Sequence, residues 1–162
     1  MRRALLAVLL ASVFAPPPAL HAQGFRFTPR IQPEARLDAV ADRYASALLM
    51  AGANAAMGYY VRTGVAVGAG VAGSPDGTVR AVRADLAVRY LLDPFAEYKW
   101  GPYAGGGLTV RRDGSRRARA GLMLVLGVEG RRAKRWTPAL EFALGEGTRL
   151  ALVLRRSRAN GR

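Results

Sequence analysis

The chain has no cysteine among its 162 residues. That excludes disulfide stapling, thiolate metal sites and the lipid-modified cysteine of a lipoprotein. Histidine is nearly missing too. The only one, His21, lies in a segment expected to be removed on export. Without it the chain lacks the side chain that ordinarily moves protons near neutral pH, and a Ser–His nucleophile pair is excluded. The later serines, Ser46, Ser74, Ser115 and Ser157, sit in no nucleophile-elbow context. Long apolar runs are also scarce. The one from Ala4 to Ala15, broken only by Ser12, is too short to span about 30 Å of hydrocarbon as a helix.

What is present begins with that run. Arg2 and Arg3 precede it, Pro16, Pro17 and Pro18 stop it, and Ala22 offers a cleavage point before Gln23. This charged, apolar and cleavable order is that of a secretory signal peptide over residues 1–22, although Leu20 is bulkier than the usual residue there. Residues 23–34, with Pro29 and Pro33, read as a lead-in segment, residues 35–157 as one domain and residues 158–162 as a basic tail. The net charge is +14, and removing Arg2 and Arg3 leaves 23 basic residues against 11 acidic ones, or +12. Nearly all the basic residues are arginine, a usage that a GC-rich genome also produces. For an exported chain the charge points to anionic lipid or lipopolysaccharide, and nucleic acid is not an expected partner.

The domain breaks into short pieces separated by turn chemistry, the all-β pattern. Val79 to Leu92 alternates, with Val82, Ala84, Leu86 and Val88 on one face and Arg83, Asp85 and Arg89 on the other. Tyr59 to Ala72 sets Val61, Val65, Val67 and Val71 against Arg62, Gly64, Ala66, Gly68 and Gly70. Glycine at alternate positions leaves room on one side of a sheet, as a curved wall requires. Gly101 to Arg111 is a glycine-rich strand, and Asp113-Gly114 is a hairpin signal. Arg117 to Glu129 sets Leu122, Leu124 and Leu126 against Gly121, Met123, Val125 and Gly127. Trp136 to Leu144 and Thr148 to Leu154 flank a turn at Gly145-Glu146-Gly147. Leu37 to Met57 admits two readings. Leu37, Val40, Ala41, Tyr44 and Leu48 fall at helical spacing. Two strands, joined near Asp42-Arg43 and followed by a turn over Asn54 to Gly58, supply what six strands lack, a way to close the sheet edges. The expected fold is therefore all-β: one antiparallel up-and-down barrel of about eight strands.

Tyr59-Tyr60-Val61-Arg62, the glycine-alternating Val65 to Gly73, Leu91-Leu92-Asp93-Pro94-Phe95 and Trp100-Gly101-Pro102-Tyr103-Ala104-Gly105-Gly106-Gly107 carry a likeness. From residue 35 onward the chain resembles small eight-stranded outer-membrane β-barrel proteins of bacteria. The resemblance implies strands of roughly 9–11 residues crossing the membrane, with the insertion machinery as a partner during biogenesis. It also implies an interfacial girdle, for which Tyr59, Tyr60, Tyr90, Trp100, Tyr103 and Trp136 are candidates. The chain departs from such proteins in running Leu150-Ala151-Leu152-Val153-Leu154-Arg155-Arg156 into a basic tail, with no terminal aromatic on its last strand.

With the apolar faces outward, the expected lumen set is Arg36, Asp38, Asp42, Arg62, Arg83, Asp85, Arg89, Arg119, Glu129, Glu141 and Arg149. Both signs are present, so paired charges can fill a narrow barrel. The basic clusters at Arg111, Arg112, Arg116, Arg117 and Arg119, at Arg131, Arg132, Lys134 and Arg135, and at Arg155, Arg156, Arg158 and Arg162 read as solvated turns and tail, with lipid phosphate as the sharper reading. Gly68 to Gly73 spells a dinucleotide G-x-G-x-x-G, but no helix follows it. No cofactor and no metal are expected. The first expectation is a structural or interaction role in the outer membrane. The alternatives are a soluble periplasmic barrel binding an apolar, lipid-like ligand and, least favoured, an envelope lipid-modifying enzyme.

Overall fold

The computed structural model describes residues 31–156 apart from 96 and 134. The segment expected to be a signal peptide, most of the expected lead-in segment and the expected basic tail lie outside the described residues. Eight strands form a closed antiparallel barrel in the order β1 to β8. They are β1 (Ile31–Ala41), β2 (Ala45–Met57), β3 (Val61–Ser74), β4 (Gly77–Leu91), β5 (Gly101–Asp113), β6 (Arg119–Glu129), β7 (Trp136–Gly145) and β8 (Gly147–Arg156). Each pairs with its sequence neighbour, and β1 pairs with β8 from Glu34 opposite Arg155 to Ala41 opposite Thr148. Closure leaves no sheet edge along the wall.

The segment 37–57 is two strands, so the helical spacing of its apolar residues has no structural counterpart. Several boundaries differ from the sequence reading, among them the start of β3 at Val61 with Tyr59 and Tyr60 in the turn before it, and two of them shape the interior. β1 starts at Ile31, inside the segment expected as a lead-in, because Pro33 is tolerated there: pairing with β8 begins only at Glu34. β2 runs to Met57, so Asn54 is a strand residue whose polarity serves the interior, and the turn follows at 58–60. Gly147 opens β8 at φ +99°, and Gly77 opens β4 at φ +118°. Both values suit glycine at a tight hairpin turn.

The wall sorts side chains by parity. Leu37, Leu49, Val67, Leu108, Leu122, Leu124, Leu126, Leu140, Leu150, Leu152 and Leu154 are exposed on the outside. Inside, alternate glycines let the wall curve. A Cβ at Gly105 or Gly107 would lie 2.1 or 1.9 Å from the β4 carbonyls of Val88 and Leu86. The interior also holds two apolar clusters, one around Val40, Leu48 and Met50 and one around Tyr103, Met123, Val125 and Val153.

The two ends of the barrel are unlike. The end where β1 starts and β8 finishes carries the connections 58–60, 92–100 and 130–135. It also carries Tyr59, Tyr60, Tyr90, Phe95, Tyr98, Trp100 and Trp136, all exposed. Tyr60 stacks on Tyr90 at 5.7 Å between ring centres, and Phe95 meets Tyr59 at the same distance. The opposite end has only the tight connections 42–44, 75–76, 114–118 and 146, and Tyr44 is its one described aromatic.

Candidate functional site

Inward parity on seven strands delivers charge to a single column through the lumen. Its centre is Glu141 on β7, which takes four arginines from three other strands. Arg36 of β1 lies 2.9 Å from Oε2, and Arg155 of β8 lies 2.7 Å from Oε1. Arg89 of β4 stands 3.1 Å from Oε1, and Arg149 of β8 stands 3.9 Å from Oε2. The Tyr103 hydroxyl donates to Oε1 at 3.0 Å. One carboxylate cannot balance four guanidiniums, so the surrounding acids matter. Glu34 accepts from Arg155 Nε and from the Asn54 amide, each at 3.1 Å. Asp38 lies 3.6 Å from Arg36 Nε and 3.4 Å from Arg149 Nη1.

Toward the tight-turn end, Asp85 pairs with Arg149 and accepts from Arg83 Nε at 2.8 Å and the Thr109 hydroxyl at 2.7 Å. Arg111 and Asp113 on β5 pair at 2.8 Å. Toward the aromatic end, Glu129 pairs with both Arg62 and Arg155. The lattice thus runs from one mouth to the other and joins first strand to last.

Charge in this density is costly to bury unless each group is paired. The described lumen carries both signs throughout, which is how the fold meets that condition. Arg36, Arg89, Arg149, Arg155, Tyr103 and Glu141 are each at 2% exposure or less. An open pore would leave these side chains wet, so the interior is plugged by its own side chains.

Seven of the eleven expected lumen residues, Arg36, Asp38, Arg83, Asp85, Arg89, Glu141 and Arg149, are fully buried in this column. Arg62 and Glu129 belong to it at the aromatic-end mouth, with their side chains 15% and 16% exposed. Asp42 and Arg119 do not belong to the lumen. Their side chains are 35% and 51% exposed, and they face each other at 3.8 Å on the tight-turn rim. The reason is position: Asp42 lies beyond the end of β1, and Arg119 is the first residue of β6.

Sequence reading missed Glu34, Asn54, Tyr103, Thr109, Arg111, Asp113 and Arg155. Parity was the available signal, since Glu34 is in step with Arg36, and Arg155 with Arg149. Arg111 and Arg155 are lumen residues, each 3% exposed or less, and not parts of solvated basic clusters. Tyr103 is interior as well and leaves the girdle; Arg155 lies over its ring at 5.2 Å.

Two solved barrels share this architecture. Neisserial surface protein A (NspA) superposes with a TM-score of 0.60 at 13% identity, covering 79% of this chain and 96% of its own. The N-terminal β-barrel domain of Pseudomonas aeruginosa OprF superposes with a TM-score of 0.58 at 13% identity, covering 79% of this chain and 99% of its own. At that identity the likeness establishes the fold. No protein-family model matches the chain, and no curated protein matches it.

Proposed function

We infer that the chain is an integral β-barrel of a bacterial outer membrane with a structural or interaction role in the envelope. One observation carries this reading: a belt of exposed leucine and valine surrounds a charge lattice that is buried except at its mouths. In water that arrangement is inside out, because apolar area stays wet while ions are desolvated. In a bilayer it is the low-energy arrangement. Strands of 10 to 15 residues reach across the hydrocarbon, and exposed aromatics mark one end of the belt. The likeness to NspA and to the OprF barrel domain supports the same reading. The proposed role is non-catalytic: the buried lumen carboxylates are engaged by guanidiniums and shielded from any substrate. Membrane lipid or lipopolysaccharide is the proposed partner, with the insertion machinery engaged during biogenesis.

Cell fractionation tests this. The protein is expected in the outer-membrane fraction, resistant to urea and released by detergent, and silent in a planar bilayer because its lumen is filled. Release by urea alone refutes the membrane reading. Steady single-channel conductance refutes the sealed lumen.

A further inference from the structure

The belt is anchored differently at its two ends. Aromatic rings line one boundary, whereas the tight-turn boundary has arginines on the outer wall. Arg80 on β4 and Arg112 on β5 both point outward there. Arg112 is the register partner of Val82, and Arg80 that of Val71 on β3. Between the two arginines lies an open groove of about 470 Å³ lined by Val79, Arg80, Val82, Arg112 and Gly114. Among the described residues, neither Arg80 nor Arg112 forms an ion pair. Most interior arginines of this protein are matched to acids, so two unmatched guanidiniums flanking one apolar groove stand apart.

We propose that this groove holds one anionic membrane lipid, with its headgroup phosphate between Arg80 and Arg112 and an acyl chain along Val82. The proposal rests on the membrane reading above. Three features select the occupant. Guanidinium forks match phosphate oxygens, and two of them around one group outdo a single exposed charge. The groove floor is valine and glycine, which suits an acyl chain and gives a soluble anion nothing further to contact. The position is the edge of the belt, the level at which headgroup phosphates lie and arginines reach outward from apolar wall.

The test uses full-length protein purified from expressing cells in a zwitterionic detergent. Bound lipid is counted by native mass spectrometry during titration with phosphatidic acid or phosphatidylcholine. One tight phosphatidic acid per barrel is expected, with phosphatidylcholine at least tenfold weaker. The double variant Arg80→Ala/Arg112→Ala should lose that preference tenfold or more. The charge-matched double variant Arg131→Ala/Arg135→Ala, at the other end, should stay within twofold of the parent. Circular dichroism confirms that both variants keep the β signal. Equal losses in the two variants would mean diffuse attraction and overturn the proposal. So would displacement of the lipid by an equal concentration of inorganic phosphate. The same preparations are floated with phosphatidylcholine vesicles. Failure to float overturns the membrane reading and this proposal with it, whereas floating of all three proteins with the same phosphatidic acid preference in each overturns this proposal alone.

Discussion

Glu34 on the first strand and Arg155 on the last are register partners, and their side chains meet at 3.1 Å inside the barrel. The seam that closes the sheet is therefore also a link in the charge lattice. Arg155 touches Glu141 and Glu129 from the same position, so one side chain near the end of the chain holds three acids from three other strands.

Arg155→Ala is expected to be among the most damaging single changes. It leaves buried Glu34 and Glu141 short of a partner, and breaking a buried pair in this way costs about 3–5 kcal/mol. The urea-unfolding midpoint of protein folded in vesicles should fall accordingly. Arg156→Ala, one residue on and outside the barrel, should leave the midpoint nearly unchanged; equal effects at the two positions would refute the lattice.

Glu141→Gln should show the converse imbalance. It keeps the shape but withdraws the negative charge shared by Arg36, Arg89, Arg149 and Arg155. A loss of about 3–5 kcal/mol is expected, against about 1 kcal/mol or less for Asp42→Asn on the exposed rim. Salt separates the two further. Screening at 1 M should cancel the Asp42–Arg119 contribution and leave the Glu141 effect largely intact.

The direction of the β4 side chains is open to direct measurement. Single cysteines at positions 82, 84 and 88, placed one at a time and labelled in reconstituted protein, should be quenched by lipid-borne probes. Labels at 83, 85 and 89 should keep their emission in the presence of those probes. Quenching at neither set would refute a lipid-facing wall. Leu124→Arg tests the same surface from β6. An arginine near the bilayer midplane costs roughly 2–4 kcal/mol and should depress insertion.

Gly127→Ala probes the packing that aims Tyr103. A Cβ at residue 127 would lie 2.3 Å from the Tyr103 ring, so the ring must move away and stretch its 3.0 Å hydrogen bond to Glu141. Overpacking of this kind costs about 1–3 kcal/mol. The expected readout is a lower unfolding midpoint with an altered near-ultraviolet tyrosine signal, while Gly58→Ala, at a φ of +89° but in open space, should lower the midpoint without that tyrosine change.

Much of this protein was legible from alternation alone. The apolar Val82, Ala84 and Val88 against the charged Arg83, Asp85 and Arg89 told which side of β4 meets which environment, because successive side chains of a strand leave opposite faces. The same parity held Gly64, Ala66, Gly68 and Gly70 on the inner side of β3, and together these patterns determined an all-β wall with a polar inside.

Where the strands begin and which charges meet was decided only in three dimensions. Pro33 and Asn54 carry turn-like chemistry locally, yet Pro33 pairs in register with Ala53 of β2, and Asn54 donates to the interior acid Glu34, so both are strand residues. Arg111 and Arg155 resemble their basic neighbours Arg112 and Arg156 in composition, and only the wall separates an inward guanidinium from an outward one. Glu141 gathers Arg36 from 105 residues away and Arg89 from 52, a meeting no local pattern encodes. The physical reason is that strand periodicity constrains the face a side chain takes, while register and closure, which belong to the whole sheet, choose its partner.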